Sequence, residues 1–488
     1  MTDEFRGGHP PSPRRTPTDI ADVLPATALD LRRRARPPQM WKWAVAAAAI
    51  LTVLLLAGLV VIGLWVRQWA VHVAVMRDAV AKNNEGLAYY RQKQYAMAIA
   101  AYDEAIRLNP QLPEAYSNRG LAFSDMGDHA RGIEDCSHAI QLNPRLGIAY
   151  NNRGLAYFCQ DKLNEAIKDY SDAVRLDPRD ALAFSNRGLA YKEIGQYAKA
   201  IEDCSRAIQL DPKLGKAYNN RGLAYFHQAK FDDAIKNYDE AIRLEPRAAM
   251  VFSNRGLVYE EVGQYAKAVE DCSRAIQLDP KLGKAYNNRG LAYSHQGKFD
   301  DAIKDYDEAI RLDPRDALAF SNRGLAYAGK GDAHKALQEY DKAIQLNPKL
   351  ALAYNNRGAA YLAMSEHKKA MEDLSRAIQL DARLSMAYSN RGWAYYSQGK
   401  YEPAVQDYDQ ALRLNPRQPL ILANRGLAYL ALGDNARAVK DYDEAIRIQP
   451  GKAEFYSYRA EAYQKLGDMI HSDADRKKAE SFEVHKGK

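Results

Sequence analysis

Across residues 283–316 the apolar positions recur with helical spacing. In the second half, Ala302, Ile303, Tyr306, Ala309 and Ile310 fall on one stripe, while Asp301, Lys304, Asp305, Asp307, Glu308 and Arg311 fall elsewhere. That spacing predicts an amphipathic helix. The first half, from Tyr286 through Tyr293 and onward, predicts another. Gly297 sits between the two, and Asp313-Pro314 closes the stretch, because proline cannot continue a helix and disfavours the helical conformation in the residue before it. Gly290 and Ala302 are small, so the helices can approach closely. The stretch reads as a helical hairpin with one apolar face.

The same line recurs along the chain. Aligned on Gly290, it places Gly86, Gly120, Gly154, Gly188, Gly222, Gly256, Gly324, Gly358, Gly392 and Gly426, then Ala460, at intervals of 34 residues. Twelve units tile residues 79–486 without an insertion, starting at 79, 113, 147, 181, 215, 249, 283, 317, 351, 385, 419 and 453. A hairpin with one apolar face needs a neighbour to cover it, so consecutive hairpins must stack. The expected fold is all-α, an α-solenoid of twelve helical hairpins. Cys204 to Tyr225 is identical to Cys272 to Tyr293, which points to a recent duplication of a two-unit block.

The 34-residue period, with Tyr286, Gly290, Tyr293, Ala302, Tyr306, Ala309 and Pro314, resembles the tetratricopeptide repeat pattern. The resemblance implies a right-handed superhelix with a concave groove that binds proteins. Departures are local: Cys136, Cys204 and Cys272 replace the second-helix aromatic, Ala382 replaces a closing proline, and the last unit breaks at Ser472 and Arg476. The polar run HSDADRKKAESF near the end reads as the solvent-facing cap that a solenoid needs.

Two polar positions repeat. Arg occupies the slot of Arg289 in eleven units, where the family more often has Leu, and an acid corresponds to Asp305 in ten. The first unit has Glu85 and Ala101 instead. The expected role is structural: the Arg stem packs between helices and its guanidinium pairs with the acid of the same or the adjoining hairpin. Immediately before that Arg stands an Asn in the eleven units from Asn84 to Asn424. Asn is a mediocre helix former, so its return contributes nothing obvious to folding.

The resemblance implies that this Asn slot lines the groove. It is similar to the asparagine ladder of the O-linked N-acetylglucosamine transferase superhelix and to one slot of the chaperone-binding carboxylate clamp. A carboxamide both donates and accepts, so a row of them suits the backbone of an extended peptide. Asn118, Asn152, Asn186, Asn220, Asn254, Asn288, Asn322, Asn356, Asn390 and Asn424 are the expected peptide-binding residues. The competing reading has Asn copied by duplication or bonded to the neighbouring hairpin. Other groove slots vary, with Phe158, Phe226 and Tyr396 in one and Cys159, His227 and His295 in the next.

Trp43 to Val66 is a different texture, 24 residues without a charge. At about 1.5 Å per residue it is long enough to cross a bilayer with some tilt, and Trp41, Trp43, Trp65 and Trp69 bracket it as interfacial aromatics would. A polar lead precedes it and bulky WVRQW follows, so an uncleaved anchor is expected over 41–69, not a signal peptide. Arg32, Arg33, Arg34, Arg36 and Lys42 on one side outnumber Arg67 and Arg77 on the other, which places the N-terminus in the cytoplasm. Arrays of this texture resemble bacterial envelope proteins, hence a single-pass inner-membrane protein with periplasmic repeats. Residues 70–78 form a short connector, and the Pro- and Arg-rich tail, 1–40, has little to bury and is expected to be disordered.

Composition narrows the function. Of 488 residues, 47% are hydrophobic and 27% charged, a globular balance. The first 42 residues carry eight Lys or Arg against five acids, so most of the +7 charge is diluted over the long remainder and no nucleic-acid footprint is expected. No HExxH, CxxC or G-x-S-x-G occurs, and GLAYAGKG at 324–331 ends in Gly where a phosphate loop needs Ser or Thr. His227 and His295, and likewise Cys136, Cys204 and Cys272, stand two units apart. At about 10 Å per stacked unit that is too far for a shared metal or a disulfide.

No catalytic residue, metal or cofactor is expected. The expected function is a non-catalytic, membrane-anchored scaffold that binds protein or extended peptide segments in its groove. The alternative is a structural assembly protein acting through its convex face or ends. A substrate-recognition part of a glycosyltransferase system ranks below both, and the sequence leaves homo-oligomerisation open.

Overall fold

The computed structural model describes residues 39–486. All but the last two residues of the expected N-terminal tail lie outside them. Among the described residues there are 24 helices and no strand. Contacts divide the chain into two compact units, which meet between Arg77 and Asp78.

The first helix, Gln39–Arg91, contains the whole apolar run and the connector. Nothing between Arg67 and Asn84 is Gly or Pro, so no residue there breaks it. Its side chains from Met40 to Ala74 are exposed, including Leu54, Leu55, Leu56 and Ile62. It is the one helix among the described residues long and apolar enough to cross a membrane.

In the second unit the helices up to the last alternate 13 and 14 residues, as in Gly283–His295 followed by Phe299–Leu312. Each hairpin turns through a residue with positive φ in the same slot. Gly fills that slot in eight hairpins, and Lys93, Asp161, Ala229 and Ser365 fill it in the others. In the seventh hairpin Lys298 N–H returns to Tyr293 O at 2.9 Å and Gly297 N–H to Ser294 O at 3.0 Å, which satisfies carbonyls at the helix end.

The core is built of small residues and rings. Ala285, Ala292, Ala302 and Tyr306 are fully buried. A Cβ at Gly290 would stand 2.8 Å from the Tyr306 ring, so glycine is what lets the ring lie flat against the first helix. In the last hairpin, where Ala460 replaces this Gly, the facing ring is gone and Ser472 Oγ donates to Ala460 O at 2.9 Å. That final helix, Met469–Lys486, turns Ser472, Asp475 and Ala479 inward and leaves His471, Asp473, Arg476, Lys477 and Lys478 to solvent.

First helices of successive hairpins touch one another along the array from the second hairpin onward, whereas successive second helices do not. The first-helix side is therefore the more tightly spaced, and the array curves with first helices lining its inner face.

Candidate functional site

Two polar rows run side by side along the first helices. In the seventh hairpin Arg289 forks onto Asp305, Nε to Oδ2 at 2.8 Å and Nη2 to Oδ1 at 2.7 Å, while Nη1 donates back to Ser273 of the preceding hairpin at 3.1 Å. Rings hold the stem, with Tyr286 and Tyr293 centroids 5.7 and 6.0 Å from Cζ. The fork and the backward bond hold at every Arg of the row from Arg119 to Arg459 except Arg221. Where Asp stands in the slot of Ser273 the backward bond is ionic, as from Arg357 to Asp341 at 2.6 Å. Arg221 is the variant, bonded to Asn237 and Ser205. The row is a structural staple, within hairpins and between them. Burial pushes Asp271, Asp305 and Asp441 above the ordinary carboxylate value even against their guanidinium partners.

The Asn row is also bonded to the preceding hairpin. Asn288 Nδ2 donates to Ser253 O at 3.2 Å and to Ser253 Oγ at 3.1 Å, and Asn152 and Asn220 do the same to Ser117 and Ser185. A backbone oxygen can only accept, so the orientation of these amides is fixed. Asn118, Asn186, Asn254, Asn322 and Asn390 donate to an Asn of the preceding hairpin, and Asn356 to Ser321. Asn424 is part-buried, with no such bond. The Oδ1 atoms of Asn220 and Asn356 accept from Asn219 and Asn355. Elsewhere in the row Oδ1 makes no hydrogen bond among the described residues and is not sealed from solvent.

On the inner face a cavity of about 380 Å³ gathers residues from five successive hairpins, among them Lys192, Phe226, His227, Asn254, Asn288 and Leu318. Leu223, Leu257 and Lys284 also line it, so apolar walls, amides and cations converge. Rows of apolar side chains flank the amides, with Ile148, Leu182, Met250, Met386 and Leu420 exposed at the slot of Leu318.

Models described as tetratricopeptide repeat match residues 113–146, 181–214, 215–247, 249–282, 283–316 and 351–383. A further TPR repeat model matches 86–127, 156–195, 329–365, 392–433 and 426–467. The chain belongs to the tetratricopeptide repeat (TPR) family. Among solved structures the TPR chain is similar to one from the APC/C hetero-tetramer Cut9-Hcn1, with 16% identity over 81% of this chain and 92% of that one, at a TM-score of 0.48. It is also similar to a tetratricopeptide repeat protein from Parabacteroides merdae, with 19% identity over 51% and 98% of the two chains, at a TM-score of 0.44. No curated protein matches it. TPR arrays are in general non-catalytic scaffolds, and the repeats of this chain imply a scaffold role in protein–protein interaction.

Two features of the TPR groove escaped sequence reasoning. Glu260, in the slot of Phe158 and Phe226, is a buried carboxyl without an arginine: its Oε1 lies 3.0 Å from His295 Nε2 of the next hairpin. Burial, with Glu261 beside it, raises its pKa to about 7. In the same slot two hairpins earlier stands Lys192, which pairs with Glu193. Aligning every slot on the repeat period would have singled out both. The two groove histidines are held alike, His227 stacked on Tyr197 and His295 on Tyr265, each with centroids 5.2 Å apart. No cluster of three His, Cys, Asp or Glu side chains suited to a metal occurs among the described residues. Cys136, Cys204 and Cys272 are buried free thiols, and burial pushes the last two up to about 12, whereas Cys159 is exposed.

Proposed function

We propose that this protein is a membrane-anchored scaffold that captures extended protein segments along the inner face of its TPR array. The observation that carries this reading is the inner-face cavity, in which Asn254 and Asn288 meet apolar walls and lysines. Because the amide nitrogens of both Asn residues are committed to the preceding hairpin, the bound backbone is met by Oδ1, an acceptor for peptide N–H groups. The exposed apolar slots beside the row take the segment's side chains. The row from Asn118 to Asn390 thus aligns the hairpins, and those of its members whose Oδ1 is open receive the ligand, as does Asn424.

The apolar run of the first helix is the anchor, with the N-terminus cytoplasmic and the repeats in the periplasm of a bacterial inner membrane. Photocrosslinking residues placed at Met250 and Leu318 on the inner face, and at Lys304 on a second helix, test the capture site in native membranes. Protein adducts from the inner positions support it. Adducts from position 304 alone would transfer the function to the outer face. Exposed Cys159 tests topology: an impermeant maleimide should label it in intact spheroplasts, and protection until lysis would reverse the orientation.

A further inference from the structure

The two ends of the array depart from the pattern of its internal joints, and they depart as a pair. At an internal joint the later hairpin reaches back with two side chains of its first helix: Arg289 meets Ser273, and Asn288 meets Ser253. Arg holds its slot in every hairpin but the first, where Glu85 stands. The slot that it meets holds Ser or Asp in every hairpin but the last, where Lys477 stands. The second pair is intact, with Asn84 of the first hairpin in the slot of Asn288 and Ser457 of the last in the slot of Ser253. Stacked as successive hairpins stack, the last hairpin of one copy and the first of another set Lys477 against Glu85, a staple with its charges exchanged, and Ser457 against Asn84.

Both faces are open. Val80, Ala81, Asn84, Glu85 and Ala88 are exposed, although the slots of Ala81 and Ala88 are buried in all eleven later hairpins, as at Ala285 and Ala292. Ala285 is buried against Phe252 and Ala275 of the hairpin before it, which is the cover that Ala81 lacks. Glu85 accepts from Lys82 of its own helix through Oε2 at 2.8 Å, and Oε1 makes no hydrogen bond among the described residues. Arg289 is divided in the same way, with one partner in its own hairpin and one behind it. At the other end Lys477 is exposed and makes no ion pair among the described residues. Ser457 is exposed too, whereas Ser117, Ser185, Ser253 and Ser321 are buried beneath the hairpins that follow them. The neighbouring charges Asp473, Arg476, Lys478 and Glu480 balance, with Asp473 3.8 Å from Arg476, so selectivity at this end falls to the two slot pairs.

We propose that copies of this protein join end to end, the last hairpin of one seated on the first hairpin of the next through Lys477 with Glu85 and Ser457 with Asn84. The two ends are different surfaces, so the contact is heterologous and repeats from copy to copy. The exchanged charges make it selective. Against the back of an internal hairpin Glu85 meets Ser or Asp, and against the front of one Lys477 meets an arginine, so each end rejects every partner but the other.

The test uses the full chain in detergent at low salt and two variants of exposed residues, Glu85→Lys and Lys477→Glu. Sedimentation velocity should show the parent forming dimers and longer species as its concentration rises. Each variant sets like charges in the joint and should associate about tenfold more weakly. Mixed in equal amounts, the two should recover the parent's association, because each altered end then finds an opposite charge on the other protein. Circular dichroism checks that both fold. If either does not, Ala81→Cys with Glu480→Cys, in a chain whose exposed Cys159 is changed to Ser, supplies a second readout: a short bismaleimide should yield a ladder of covalent multimers in native membranes. Monomers at every concentration, association indifferent to both variants, or a mixture no stronger than its components overturns end-to-end joining. Crosslinked dimers from Ala81→Cys alone would also overturn it, in favour of a contact between two first hairpins.

Discussion

The interface between hairpins and the inner face are built from neighbouring residues of the same helices, yet they end in opposite states. At the interface Arg289 has a partner on each nitrogen that bonds, forward to Asp305 and back to Ser273. On the inner face one residue away, and among the described residues, Asn288 commits its nitrogen and leaves its oxygen without a partner, Lys284 makes no ion pair, and Glu260 has only a histidine. Both rows return with the same period, so periodic return does not separate structure from function in a repeated chain. Unfilled hydrogen-bonding capacity does.

That contrast can be broken most strongly at the staple. Arg289→Met leaves Asp305 buried without its cation and should cost about 3 kcal/mol at that interface. Adding Asp305→Leu should recover most of the loss. Because long arrays open locally, hydrogen exchange of the sixth and seventh hairpins is the appropriate readout. A single variant as stable as the parent would show the pair contributes little.

Glu260 sharpens the contrast through pH. Its folded pKa, about 7, stands above the ordinary value of 4.5, so below pH 4.5 both states hold the proton. As pH rises from 4.5 to 7 the unfolded chain releases it first, and stability falls until the folded group also ionises. The loss should reach about 2 kcal/mol, with His295 offsetting part of it. Glu260→Gln should flatten the thermal midpoint between pH 5 and 7, and an unchanged slope would assign the dependence elsewhere.

Asn288→Ala removes two long neutral bonds to Ser253 of the preceding hairpin and should cost about 1 kcal/mol, well below the arginine variant. A loss as large as that of Arg289→Met would make the Asn row primarily structural. The smallest effect lies in the turns: Ala229 holds φ at 56° where eight hairpins use Gly, so Ala229→Gly should stabilise the fifth hairpin by about 1 kcal/mol or less, read by thermal melting.

Much of the fold was legible because its determinants are local. Helical spacing, the glycine at most turns and the proline that closes most units mark the hairpins, and the small residues at Gly290 and Ala302 predict their close packing. The pairing of Arg289 with Asp305 was legible too, since each slot recurs at a constant separation and one carries a cation, the other an acid. The partner of Asn288 was not, because Ser253 lies in the preceding hairpin and spacing does not reveal which amide atom faces it. Glu260 was illegible for a further reason: its slot holds residues as different as Phe, Tyr, Lys, Ser, Ala, Leu and Gln elsewhere, and only packing against the next hairpin shows that this acid is buried.

The staples also bear on how the array carries load. Each Arg and Asn bond joins a hairpin only to itself or to the one before, so tension applied along the array passes through its interfaces in series, and the weakest link sets the yield point. Arg221 meets a neutral Asn237 where its counterparts meet an acid, which makes the fifth hairpin the place where a stretched array should first give way.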